Sequence, residues 1–343
     1  DNLLITNNLI GSSANATDQI GQRGINLVQA NNAVISQNTI FNIVGTQTNP
    51  TGIFIGAGVI NSVITRNDIN SLKYTGTSGY GGKGIDVQTG SASSNLTISN
   101  NFIYDLSGDG WTALTSDAII GIRIGTGSTV GGINVYNNSV NLFGNADRAS
   151  SSTLSAALYI GSGGSNLDIR NNILKNDIVN NLTATAKAYA INSASPASAF
   201  TFINNNDYYA AGSQGILGFL NSDILTLTNW QAATGKDGQS VAVQPVFTSN
   251  TDLHLTNNAN YCLDGGGAPL AAVTVDIDGQ ARSATTPDIG ADEFALVNMT
   301  VTATENSGVA PNDNLTCSGD PVTLTANAAG ASYAWSSGGP DNP

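Results

Sequence analysis

The chain has 343 residues, enough for two or three domains or for one long solenoid; 40% are hydrophobic and only 10% charged. Its net charge is −13 with 11 basic residues and no basic stripe, which excludes a nucleic-acid binder and disfavours anionic membranes. One histidine and two cysteines exclude CxxC and HExxH metal motifs, and no apolar run is long enough to span a membrane.

From the start, one pattern recurs. Leu4 to Ile10 carries its tail, and full copies read NAVISQNTI from Asn32, NSVITRNDI from Asn61, NLTISNNFI from Asn95, GINVYNNSV from Gly132 and NLDIRNNIL from Asn166, with a weaker copy from Ala199 to Asp207. Superposition aligns Asn8, Asn38, Asn67, Asn101, Asn138, Asn172 and Asn205, at spacings of 30, 29, 34, 37, 34 and 33 residues. Repeats of this length signal stacked solenoid units.

Upstream of each asparagine segment stands a second element: GINLVQA at Gly24, GIFIGAG at Gly52, GIDVQTG at Gly84, GIRIGTG at Gly121, ALYIGSG at Ala157 and AYAINSA at Ala188. Alternation turns Ile25/Leu27, Ile53/Ile55, Ile85/Val87, Ile122/Ile124, Leu158/Ile160 and Tyr189/Ile191 to one face, and Asn26, Phe54, Asp86, Arg123, Tyr159 and Ala190 to the other. A short apolar element follows each asparagine, as in Ile40/Ile43 and Ile103/Leu106. Three short strands per repeat, with no helical period, predict an all-β fold, a parallel β-helix. The asparagine column is expected at the corner between second and third strands. There a residue must tolerate left-handed geometry, and a buried amide can donate to the next coil. The long linkers Gly45 to Thr51, Lys73 to Lys83, Ser107 to Ala118 and Asn145 to Ala156 cluster on one edge. They carry Tyr74, Tyr80, Asp109, Trp111, Asp117, Asp147 and Arg148 where a rigid scaffold carries function.

Beyond residue 207 the repeat decays. A capped helix ending at Gly235 is predicted, then short strands at Val243 to Phe247, Asp252 to Leu255 and Ala272 to Ile277, in a segment that covers the open core. The stretches VDIDGQAR from Val275 and PDIGADEF from Pro287, with QPVF from Gln244 and DLHL from Asp252, resemble the closing signature of secreted bacterial right-handed β-helix proteins of the pectate-lyase-like superfamily. The resemblance covers residues 1–296, with coils over 1–207 and terminal coils and cap over 208–296. It implies the right-handed fold and leaves function open, because the superfamily holds lyases, hydrolases, adhesins and tailspikes. Residues 297–343 lack Lys and Arg. NLTCSGDPVTLTA from Asn314 and ASYAWS from Ala331 resemble the opening of the Ig-like β-sandwich modules of large Bacteroidota surface proteins, here incomplete. The chain opens within a repeat and closes within this pattern, so a portion of a longer chain is expected.

Sugar hydrolysis needs paired carboxylates and elimination needs a Lys or Arg base, often beside bound Ca²⁺. The best outward cluster is Phe54, Asp86, Arg123 and Tyr159, in register on four successive coils: either a glycan-contact groove or an ion pair shielded by aromatics. Tyr136 and Arg170 form a similar pair. Asp86 and Asp168 lie on different faces, and the two glutamates, Glu293 and Glu305, lie in the cap and beyond it. Loop acids Asp105, Asp109, Asp117 and Asp147 share an edge without a signature, so no catalytic residue is assigned. Asp276-x-Asp278-Gly279 matches a fragment of a Ca²⁺ loop, but Gln280, Ala281 and Arg282 supply no further ligands, so no cofactor is expected and Ca²⁺ stands as the alternative. His254 reads as an exposed or satisfied strand residue. Cys262 reads as a buried thiol; nothing requires it to pair with Cys317.

The expectation is therefore a rigid segment of a large secreted cell-surface protein, of adhesin and, by the Bacteroidota resemblance, gliding type. Its partners would be a glycan or external surface, neighbouring modules of the same chain and, by resemblance, secretion machinery. The alternative is a polysaccharide lyase or glycoside hydrolase centred on Asp86 and Arg123.

Overall fold

The structure, a computed structural model, describes residues 2–12, 19–149, 152–256, 259–296, 301–304 and 322–326. One compact unit spans Asp1–Phe294 and a second spans Ala295–Pro343.

The first unit is a parallel β-solenoid of about six turns. Its strands stack into three parallel sheets. The first holds the asparagine segments, from Leu4–Thr6 through Val63–Thr65 to Phe200–Asn204. The second holds the glycine-led strands, from Arg23–Leu27 through Lys83–Val87 to Gly215–Leu220, with Ser222–Ile224 added antiparallel. The third runs from Leu9–Ile10 through Phe102–Ser107 to Asp207–Tyr209. Isoleucine, valine and leucine from all three fill one continuous core, because the inward positions stack coil on coil.

Strict alternation fails within the strands of the second sheet. On the second sheet the column Gly24, Gly52, Gly84, Gly121, Ala157, Ala190 sits at a kink that the pairing register skips, so Lys83 pairs with Ile120 and Ile85 with Ile122. A Cβ on Gly84 would stand 2.5 Å from the Gly121 carbonyl oxygen, so the coils approach too closely there for a larger residue. The kink turns the residues flanking it to opposite sides. It therefore corrects the assignment at Tyr189: Ala190 and Ile191 enter the core, while Tyr189 turns outward and its hydroxyl donates to Asp223 at 2.9 Å.

The asparagine ladder runs unbroken along the corner between the first and third sheets. Asn8, Asn38, Asn67, Asn101, Asn138 and Asn172 each donate Nδ2–H to Oδ1 of the next rung at 2.9–3.0 Å. The same oxygen also accepts the backbone N–H, as from Asn67 to Asn101 at 3.0 Å. The last rung is Asn206 and not Asn205, and Ser240 ends the ladder, its hydroxyl oxygen accepting the Asn206 N–H at 2.8 Å. The left-handed residue is also not the rung but its predecessor: Asn7, Gln37, Arg66, Asn100, Asn137, Asn171 and Asn205 have φ between 50° and 61°. Placing the turn one residue earlier points the rung's own amide inward, where from Asn38 to Asn206 it is buried.

The predicted helix is Leu227–Thr234, N-capped by Thr226 and stopped by left-handed Gly235. Its Trp230, 0% exposed, closes the core end against Phe200 and Tyr208, and donates Nε1–H to Asp237 at 2.6 Å. The rest of the expected cap does something else. Phe247–Ser249 and Asp252–Leu255 form an antiparallel hairpin, and Ala272 to Ile277 is not a strand. Residues 263–294 run back along the flank of the coils as a strap. The column of left-handed corner residues anchors it. Asn205 donates to Gly266 O at 2.9 Å, Asn171 to Ala268 O at 2.8 Å, Asn137 to Asp288 O at 3.2 Å, Asn100 to Val275 O at 2.7 Å and Arg66 to Ile277 O at 2.9 Å. In the Asn–Asn doublets one residue thus builds the ladder and the other ties the strap.

In the second unit Val301–Thr304 pairs antiparallel with Thr323–Ala326. The remainder of the expected Ig-like opening, with Cys317 and the segment Ala331 to Ser336, lies outside the described residues.

Candidate functional site

The outward face of the second sheet carries the candidate site. Register places Asn26 beside Phe54, Phe54 beside Asp86, Asp86 beside Arg123, Arg123 beside Tyr159 and Tyr159 beside Asn192. Because the strand kinks at Gly84, Lys83 faces the same way as Asp86, and Arg23 and Thr51 lie in the Lys83 column. The loop of residues 107–118 folds over this face, which alternation alone could not reveal. Under its far part, Tyr159 packs with Leu114, Ile120, Ala156 and Tyr189 in an apolar cluster. Burial there pushes the Tyr159 hydroxyl up. Tyr159 is therefore removed from the expected four-residue groove. Phe54, Asp86 and Arg123 remain, and Arg23, Lys83, Thr48, Asn49 and the loop residues Thr115 and Ser116 join them in lining a cleft of about 230 Å³.

Asp86 and Arg123 are not a surface pair; they are 3% and 7% exposed. The guanidinium grips the carboxylate with both forks, Nε to Oδ1 at 2.9 Å and Nη2 to Oδ2 at 2.6 Å. Its Nη1 donates to Thr115 O at 2.8 Å and Ser116 O at 3.1 Å, pinning the loop. Burial would raise the Asp86 carboxyl, yet the bonds and charge of Arg123 hold it below the usual carboxylate range. Lys83, 3% exposed, donates Nζ–H to Ser116 O. Burial, helped by the Arg123 charge, lowers its pKa to about 7. Arg23 lies 3.8 Å over the Phe54 ring, a cation–π contact that holds a third positive group at the cleft. The cleft thus gathers three cationic side chains around one carboxylate that is already engaged.

Other candidates resolve differently. On the first sheet Asp168 accepts from Tyr136 Oη at 2.8 Å and from Arg170 Nε at 2.7 Å, and Arg170 lies over the Phe202 ring, so this group is self-contained. The edge loops lock on one another: Arg148 stacks 4.7 Å over Trp111 and pairs with Asp109, Tyr74 meets Tyr80 edge-on, and Asp147 accepts the Asn181 N–H at 2.7 Å. Asp276 caps its own turn, its Oδ1 accepting N–H from Asp278, Gly279 and Gln280 at 2.7–3.0 Å, so the Ca²⁺-loop fragment has no free first ligand. Cys262 is a free, half-buried thiol.

Lys83 and Arg23 were not among the sequence candidates. The readable signal was Lys83 directly before the kink glycine and three residues before Asp86. His254, read as an exposed or satisfied strand residue, lies in the strand Asp252–Leu255 with its ring between Asp252 and Asp278, beside a second cleft of about 330 Å³. Comparison with protein-family models, with curated proteins and with solved structures finds no match in any of the three.

Proposed function

We propose that the chain is a rigid, right-handed β-helix segment, three strands to a coil, of a large secreted cell-surface protein of adhesin type, and that it contacts acidic glycans through the cleft on the second sheet. One observation carries the reading. Arg23, Lys83 and Arg123 converge on a cleft whose one lining carboxylate, Asp86, is spent on Arg123, in a chain of net charge −13. A local positive cleft on an acidic protein selects anionic groups such as uronate carboxylates or sugar sulfates. Pairing between coils and the Arg123 bonds to Asp86, Thr115 and Ser116 fix the cleft, so it is preorganised and binding orders few groups.

Elimination is the second reading, because an amine with a pKa of about 7 is partly unprotonated at neutral pH and can abstract the proton beside a uronate carboxylate. Glycoside hydrolysis is less supported, since Asp86 is the one carboxylate lining the cleft and it is locked by Arg123.

Titration with uronate and sulfated oligosaccharides at low salt tests this. Wild type is expected to bind acidic oligosaccharides and ignore neutral ones of equal length. Arg23→Ala, which loses one charged contact, and Phe54→Ala, which loses the ring that holds Arg23 in place, both at half-buried positions, should each weaken binding roughly tenfold. Unchanged affinity in both variants sinks the reading. Release of unsaturated product, abolished in Lys83→Met, moves the conclusion from binding to elimination.

A further inference from the structure

His254 is the single histidine of the chain. Its ring stands edge-on to Phe102 at 5.0 Å, and both ring nitrogens face carboxylates: Nδ1 lies 2.5 Å from Asp252 Oδ1, and Nε2 lies 2.9 Å from Asp278 Oδ2. A neutral imidazole has one N–H and one lone pair, so one of these contacts sets two electron-rich atoms together unless a positive centre stands between them. Asp292 closes the third side. It is 4% exposed, spends one carboxylate oxygen on the Leu255 N–H at 2.7 Å, and with the other accepts no hydrogen bond among the described residues. His254, Asp278 and Asp292 each present a ligand atom within 4.8 Å of the others.

We propose that His254 Nε2 and the carboxylates of Asp278 and Asp292 hold a divalent transition-metal ion of the zinc class. One imidazole nitrogen with two carboxylates is a borderline donor set that suits zinc, whereas calcium and magnesium favour all-oxygen cages. Asp252 accepts the Nδ1–H behind the ring, the arrangement that fixes the tautomer and aims Nε2 at an ion. Three protein ligands leave a coordination position for water, and the adjoining cleft, lined by Arg66, Asp68 and Phe102, has room for it.

The site has a structural consequence. Its ligands come from three separated segments: the hairpin strand Asp252–Leu255, the turn at Asp276 to Gly279, and the end of the strap at Asp292. The strap touches the coils here through the Arg66 bond to Ile277 O. A metal would clip hairpin and strap together where they meet the coils. It is independent of the cleft on the second sheet.

The single histidine makes the test direct. Protein labelled with ¹⁵N-histidine is titrated with ZnCl₂ while the ring nitrogens are read by long-range proton–nitrogen correlation. The Nε2 resonance is expected to move to a metal-bound shift and saturate at one equivalent, with CaCl₂ leaving it in place. Asp278→Asn and Asp292→Asn should each weaken zinc binding by tenfold or more, and Asp252→Asn by roughly 10–100-fold. Asn at position 292 keeps an oxygen for the Leu255 N–H, and circular dichroism checks that each variant is folded. An imidazole that stays doubly protonated through the titration overturns the proposal. So does zinc binding that is equally strong in Asp278→Asn and Asp292→Asn, which would mean an adventitious ion on a lone histidine.

Discussion

Asn138→Ala is expected to destabilise the solenoid by roughly 5 kcal/mol, because it strips five hydrogen bonds from a fully buried corner at about 1 kcal/mol each. The Asn138 oxygen accepts the Asn101 N–H at 3.1 Å and the Asn101 amide at 2.9 Å; its own amide donates to Ile98 O, Tyr136 O and Asn172 Oδ1. Alanine leaves the Asn101 N–H with no acceptor. Because each coil contacts chiefly its neighbours, the damage should spread along the stack. Denaturant unfolding measures the loss, and hydrogen exchange should show amides of the flanking coils opening first. Asn95→Gly, which removes the exposed bond from Asn95 to Asn61 and tolerates the left-handed backbone at that position, is the control and should cost within about 0.5 kcal/mol. Equal effects at 95 and 138 would contradict the ladder's role in stability.

Arg123→Ala is the second large effect, with an expected cost of about 3–5 kcal/mol, because it strands the Asp86 carboxylate in a buried site. The loop at Thr115 and Ser116 also loses its anchor. The paired replacement Asp86→Leu with Arg123→Met removes both charges and keeps the volume, so it should recover most of the loss. Thermal unfolding of the two single variants and the double variant separates the pair's coupling from packing. A double variant as unstable as the sum of its parts would show that the ion pair does not govern this face.

These two effects divide along what the chain makes legible. The ladder shows in the sequence because a buried amide must recur once per coil, so the Asn8-to-Asn172 column and the inward isoleucines can be read directly. Asn205 and Asn206 could not be told apart, since a run of asparagines fits both the rung and the left-handed position before it. Tyr189 was turned inward because alternation assumes an unkinked strand, and the close approach at the Gly84 column breaks that assumption. The cleft was half legible. Phe54, Asp86 and Arg123 follow from register, but the burial of Lys83 and Tyr159 depends on a loop folding back over the sheet, which no local pattern encodes. The histidine group was invisible for the same reason: His254 and Asp278 are 24 residues apart and meet only because the strap doubles back.

Affinity for an acidic oligosaccharide measured at pH 6 and pH 8 tests the cleft most directly. The charged neighbours of Lys83 are Arg123, Asp86, Asp117 and Arg23, and its pKa is lowered to about 7, so its positive charge is present at pH 6 and largely lost at pH 8. The sugar carboxylate stays ionised at both. Wild type is therefore predicted to bind several-fold tighter at pH 6, and Lys83→Met to bind weakly with a flat profile, because a neutral side chain has no charge to lose. Equal affinity at the two pH values, a slope that survives in Lys83→Met, or equally tight binding of the neutral oligosaccharide would contradict a cationic cleft built for acidic glycans.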